Sequence, residues 1–277
     1  MRRKLLLLPI CMGLCFLLIP DRAPVATSSQ PITHNWVDDC KSLPDEENFK
    51  NLAKDDPVLF LVACLRRYNR EIHGYSGVLV KQERIKDKLR DTEVIDFWFQ
   101  EQEPYSVLMK WQSGSKALRD ANATLYVHKQ NNNKVLIVPN IFKKMGKYVE
   151  RDPDSDEVKS ASRYGIREFG IGQGTERTWL AWKAAKEKGI LFVEYEGVKT
   201  IPELDNLPCY VLKRTCKPVE EDGISTVEIM VDTKTWLQLG SVLRNEQGEL
   251  IGRYSFTQLK INPEFAADQF SKDAVRK

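Results

Sequence analysis

From Tyr75 onward the chain breaks into short runs rich in Val, Ile, Tyr, Phe and Trp, and a helix-length segment stands between successive runs only once. The runs before that interruption are Tyr75–Ile85, Glu93–Gln102, Tyr105–Trp111, Thr124–Lys129 and Lys134–Pro139. Those after it are Ile190–Lys199, Pro208–Cys216, Ser225–Asp232, Leu237–Asn245 and Glu249–Lys260. Such runs, bounded by polar or Gly- and Asn-containing turns, favour half-buried strands. Strands that follow one another without crossover helices pair antiparallel, because a parallel neighbour needs a connection long enough to travel back. Asn245-Glu246-Gln247-Gly248 supplies one hairpin turn. The order helix, strands, helix, strands predicts an α+β domain over 55–277, built on one large curved sheet with helices against its concave side.

The first helix is predicted over about 57–73. Asp55-Asp56-Pro57 offers a cap and a first-turn proline, Val58, Leu61, Val62, Leu65 and Ile72 recur at helical spacing, and Gly74 stops the run. The second is predicted over Thr175–Lys188, with Trp179 and Trp182 on one face and Gly189 as its stop. Residues 29–54 are polar, carry Pro31 and Pro44, and read as a linker or short capping segment.

Met1-Arg2-Arg3-Lys4 followed by the apolar stretch Leu5–Ile19 reads as a secretory signal peptide over 1–28. As a helix, Leu5–Ile19 would rise only about 22 Å against a hydrocarbon core of about 30 Å, which disfavours a permanent anchor. Arg2, Arg3, Lys4 and Arg22 less Asp21 account for the whole formal charge of +3. The rest of the chain is neutral, so nucleic acid has no electrostatic footing there. Export would leave Cys40, Cys64, Cys209 and Cys216 in an oxidising compartment as candidates for one or two disulfides of open connectivity. Cys209 and Cys216, if joined by straight strand, would lie about 23 Å apart and could not pair.

No catalytic motif stands out. Gly170-Ile171-Gly172-Gln173-Gly174 lacks the ending of a phosphate-binding loop and reads as a turn needing flexible residues. Asp152, Asp154 and Asp156 alternate as in a calcium loop, but Pro153 intrudes, Glu157 replaces the loop glycine and Arg163 replaces the closing glutamate. Single, scattered histidines (His34, His73, His128) and cysteines without Cys-x-x-Cys spacing give no zinc ligand set. The expectation is a protein without catalytic residues, metal or organic cofactor.

YSGVLVKQERI (Tyr75–Ile85), EPYSVLMKW (Glu103–Trp111), SRYGIREFGIG (Ser162–Gly172), LPCYVLKRTC (Leu207–Cys216) and VEIMVDTKTWLQLGSVLRNEQGELIGRYSF (Val227–Phe256) occur in this order. Together with Ala123–Pro139 and Ile261–Phe270 they resemble, over about 70–273, an uncharacterised family of exported bacterial proteins classed as a domain of unknown function and allied to the LolA-like lipoprotein carriers. Lys81, Glu83 and Arg84 match the family's Lys-x-Glu-Arg run, while Leu108 stands where an aromatic residue is usual. The resemblance implies an incomplete antiparallel β-barrel wrapped round helices, exported to the periplasm, with an apolar cavity between sheet and helices. It also implies a lipid or lipoprotein acyl chain as ligand. On that reading Phe97, Phe99, Tyr105 and Trp111 are the candidate cavity wall. The alternative is a structural or interaction protein of the envelope, partnered by another envelope protein, whose aromatics merely fill the core.

Overall fold

The computed structural model describes residues 38–276 apart from 102, 103, 118, 119 and 221. Residues 1–28, the expected signal peptide, and residues 29–37 lie outside the described residues. In chain order the elements are α1 (Glu46–Asp55), α2 (Pro57–Glu71), β1 (Gly74–Ile85), β2 (Lys88–Leu89), β3 (Glu93–Gln100), β4 (Ser106–Ser113), β5 (Ala121–Val127), β6 (Val135–Pro139) and β7 (Val149–Arg151). They continue with α3 (Asp156–Lys159), α4 (Ile171–Glu187), β8 (Leu191–Ile201), β9 (Leu207–Cys216), β10 (Thr226–Asp232), β11 (Gln238–Arg244), β12 (Leu250–Ile261) and α5 (Lys272–Arg276).

The strands form one antiparallel sheet in the order β7-β6-β5-β4-β3-β1-β12-β11-β10-β9-β8, with β2 folded back on β1. Each half of the chain is a meander, and pairing of β1 with β12 along Tyr75–Ile261 to Glu83–Gly252 joins the halves. The outer strands β7 and β8 do not meet, so the barrel is incomplete. All ten expected runs are strands of this sheet; β2 and β7 are additional and only two and three residues long.

α2 and α4 pack against each other on one face of the sheet. Asp56 caps α2 by accepting from the Leu59 N–H at 3.1 Å, and its carboxylate also receives Lys186 of α4 at 2.6 Å. α4 begins four residues before its expected start, at Ile171. The Ile171 N–H donates to the buried Tyr75 hydroxyl at 2.6 Å, so a β1 side chain does the work of a cap. Gly170 holds φ of 127°, and a Cβ on Gly172 would fall 2.4 Å from the Tyr68 ring of α2. The glycine-rich segment thus serves a left-handed turn and a close helix crossing.

Residues 46–55, within the expected linker or capping segment, form the helix α1. Its sequence offers little apolar surface, but Phe49 is fully buried, stacked on Trp236 at 3.8 Å and on Phe60 at 4.5 Å. The preceding residues are tied to α2 by Arg66–Asp39 and Arg70–Asp38 pairs at 2.8 and 2.7 Å. The opposite face of the sheet is covered in part by α5, whose Ala274 and Val275 pack with Leu108, Leu125, Leu136 and Val138.

The expected disulfides are not formed. Cys40, Cys64, Cys209 and Cys216 are all free thiols. Cys209 and Cys216 occupy the two ends of β9, Cys64 is buried in α2, and Cys40 is exposed before α1. Burial pushes the Cys209 thiol up to about 12 and the Cys216 thiol up to about 11, so both stay protonated and unreactive.

Candidate functional site

A cavity of about 720 Å³ lies between the inner face of the sheet, α4 and the 157–170 segment. That is within the roughly 300–1,000 Å³ typical of small-molecule pockets. Strand alternation builds its floor in cross-strand rows. Trp111, Ile95, Leu79 and Phe256 are register partners from β4, β3, β1 and β12, and all four line the cavity. Two residues along β3, β1 and β12, the next row is Glu93, Lys81 and Tyr254, continued on β11 by Ser241. An apolar row therefore abuts a polar one. From α4, Ile171, Ala181 and Trp182 form the opposite wall.

Glu93, Lys81 and Tyr254 of this row form a connected network with Glu83, Ser162 and Trp111. The Lys81 ammonium donates to Glu83 at 2.9 Å, lies 3.0 Å from Glu93, and donates to Ser162 Oγ at 3.0 Å. Glu83 also accepts from the Tyr254 hydroxyl at 2.8 Å and from the Ser162 hydroxyl at 3.0 Å, while the Trp111 indole N–H donates to Glu93 at 2.7 Å. Lys81 and Glu83 are 7% and 3% exposed. Burial works against the ammonium, yet Glu83 and Glu93 outweigh it and hold Lys81 above the ordinary lysine range. Burial likewise opposes the Glu83 charge, and Lys81, Tyr254 and Ser162 overcome it, holding that carboxyl below its usual range. A serine beside a lysine has the outline of a nucleophile with its base. Here the amine is protonated and the serine gives its hydrogen to Glu83, so Lys81 has no capacity to take a proton. The network can instead fix the sheet's inner face and present polar atoms to one end of an apolar ligand.

Of the four candidate wall residues, the structure brings only Trp111 to the cavity. Phe97 and Phe99 are on the same face of β3 but fully buried, because Phe169 and the start of α4 sit over them, with Phe97–Phe169 and Phe99–Phe169 centroids at 5.4 and 5.7 Å. Tyr105 packs on Phe99 at 5.3 Å and donates to the Ile166 carbonyl at 2.9 Å. These three are core. Lys81, Glu83 and Glu93 were not expected as site residues. Their signal was available: in Leu79-Val80-Lys81-Gln82-Glu83 the charges fall at the inward positions of the strand. The Asp152–Asp156 turn is an ion-paired surface turn, with Asp154 held by Arg167 at 2.6 Å. Among the described residues no group of three or more His, Cys, Asp or Glu is placed to hold a metal ion.

An open antiparallel sheet wrapped round helices, with an amphipathic cavity between them, defines an incomplete-barrel α+β protein. The chain belongs to the family described as Protein of unknown function (DUF1571), whose model matches residues 72–275. This is the kind of family that the sequence resemblance implies. No curated protein matches the chain. Among solved structures, that of MucB is 17% identical over 78% of this chain and 62% of its own, with a TM-score of 0.48. This chain thus spans less than two thirds of the MucB chain. The LolA superfamily protein NE2245 from Nitrosomonas europaea is 9% identical over 77% of this chain and 98% of its own, with a TM-score of 0.32. LprF from Mycobacterium bovis is 10% identical over 76% and 96%, with a TM-score of 0.42.

Proposed function

We propose that this protein is a non-catalytic binding protein of the bacterial envelope that carries or senses an acyl chain, presented by a lipid or a lipoprotein, in the cavity between the sheet and α4. The observation that carries this reading is the apolar row Trp111, Ile95, Leu79 and Phe256 facing α4 across about 720 Å³ of open space. Burying a twelve-carbon chain there gains about 9 kcal/mol at ~0.8 per methylene. Several kcal/mol are lost to immobilisation, which leaves about 5 kcal/mol and an affinity on the order of 0.1 mM for that chain, and roughly micromolar affinity for a chain of about sixteen carbons at the same gain per methylene. Periplasmic location rests on the pattern of residues 1–28 and on the family resemblance. No helix among the described residues is long and apolar enough to cross a membrane.

Phe97, Phe99 and Tyr105 support the second reading, an interaction protein with a filled core, because they leave no gap where a ligand was expected. Solvent extraction of the purified protein followed by mass spectrometry separates the two. The carrier reading expects co-purified acyl lipid approaching one chain per protein. Protein that is folded and lipid-free after mild purification, and takes up none when lipid is supplied, supports the filled-core reading.

A further inference from the structure

Between β6 and β7 the chain forms a 3-10 helix, Asn140–Met145, which ends at Gly146 in the left-handed conformation with φ of 58°. Ile141 and Met145 on it are 52% and 57% exposed. Lys143, Lys144 and Lys147 are also exposed, and none is ion-paired among the described residues. Ile141 and Phe142 at the same time line the cavity, so this segment is part of its rim. Other exposed apolar side chains sit differently. Phe192 and Val198 on the edge strand β8 are interleaved with Glu194 and Glu196, and Lys199 there is already paired with Glu196. Leu89 beside Lys86 and Lys88, and Ile261 beside Lys260, are single exposed apolar side chains that do not line the cavity. Among the described residues, it is at the rim that two strongly exposed apolar side chains stand with three lysines outside any ion pair.

We propose that residues 140–147 are a membrane-docking lip that sets the cavity mouth against an anionic phospholipid surface. Lysine ammonium groups are drawn to anionic headgroups, each strengthening association by about fivefold at moderate salt. Ile141 and Met145, with few neighbours to pack on, enter the boundary between headgroups and acyl chains, as the apolar face of an interfacial segment does. A neutral surface offers the lysines nothing, and a polar protein surface offers nothing to the two apolar side chains. Docking does not require the cavity to be filled, so it stands apart from the ligand reading.

The test is flotation of the protein with vesicles of phosphatidylcholine alone and with vesicles of equimolar phosphatidylcholine and phosphatidylglycerol. Wild-type protein is expected to float with the anionic vesicles and to be released largely at ~1 M salt, where the screening length is about 3 Å. The triple variant Lys143→Gln, Lys144→Gln, Lys147→Gln, which removes three positive charges, is expected to lose about 100-fold in partitioning. Ile141→Ser with Met145→Ser is expected to lose binding as well, and to abolish whatever survives at high salt. Phe192→Ser with Val198→Ser is the surface control and should float like wild type. All these sites are exposed, and an unchanged unfolding midpoint confirms that each variant is folded. Absence of wild-type flotation, equal flotation with neutral vesicles, or unchanged flotation in either lip variant would overturn the proposal and leave the lip to a protein partner.

Discussion

Lys81 pairs with two carboxylates, and one of them, Glu83, is buried in a setting that opposes its charge. Its pairing with Glu83 and Glu93 at 2.9 and 3.0 Å is a buried ion network, of the kind whose disruption costs more than its formation gains. Lys81→Met is therefore expected to destabilise the protein by about 3–5 kcal/mol at pH 7. The sign of its pH dependence follows from Glu83. In the wild type the folded carboxyl lies below its usual range, so its contribution is present above an ordinary glutamate value of about 4.3 and is lost as pH falls through the lowered folded value. Without the cation, burial acts on Glu83 against only the Tyr254 and Ser162 hydroxyls and is expected to raise it, so protonation favours the folded variant. The gap between wild type and variant should narrow from pH 7 towards pH 4, as measured by urea unfolding across that range. A gap that stays constant would mean that Glu83 is not held by Lys81.

Local pattern is most informative where an element's neighbours lie along its own sequence. The alternation in Tyr75–Ile85 locates β1 to within a residue, and Asp56-Pro57 locates the start of α2. The candidate wall is legible in part for the same reason. Period-2 spacing puts Ile95, Phe97 and Phe99 on one face, and all three are buried, but only the fold determines that Phe169 packs on the last two while Ile95 lies at the cavity wall. α1 and the first turn of α4 are set by distant partners. Glu46–Asp55 has one turn's worth of apolar residues, Phe49, Leu52 and Ala53, and becomes a helix because Phe60, Tyr210 and Trp236 receive Phe49. Ile171–Gly174 becomes helix because Tyr75 caps it and Tyr68 needs a glycine beneath it. Phe49→Ala should accordingly cost about 3–5 kcal/mol despite the low apolar content of its helix. Denaturant unfolding should show a lower midpoint with an unchanged slope; a loss under about 1 kcal/mol would mean that α1 rests on the core without stabilising it.

At the scale of the whole molecule, two meanders joined through β1 and β12 curve over α2 and α4 without closing, and the space that remains between sheet and helix is the cavity. Its floor changes from the apolar row of Trp111, Ile95, Leu79 and Phe256 to the polar row of Glu93, Lys81, Tyr254 and Ser241 within two residues of strand, about 7 Å. A ligand matching that floor is apolar along its length and polar at one end, as an acyl chain with its linkage is. The most direct measurement is titration of delipidated protein with a fluorescent long-chain fatty acid, repeated with Ala181→Trp, which fills the cavity from the α4 side, and with Trp111→Ala. Saturable binding at one site with roughly micromolar affinity is expected in the wild type, abolished by Ala181→Trp and weakened by Trp111→Ala while both variants stay folded. Folded wild-type protein that binds no chain up to the solubility limit, or an Ala181→Trp variant that binds as well as wild type, would contradict the account.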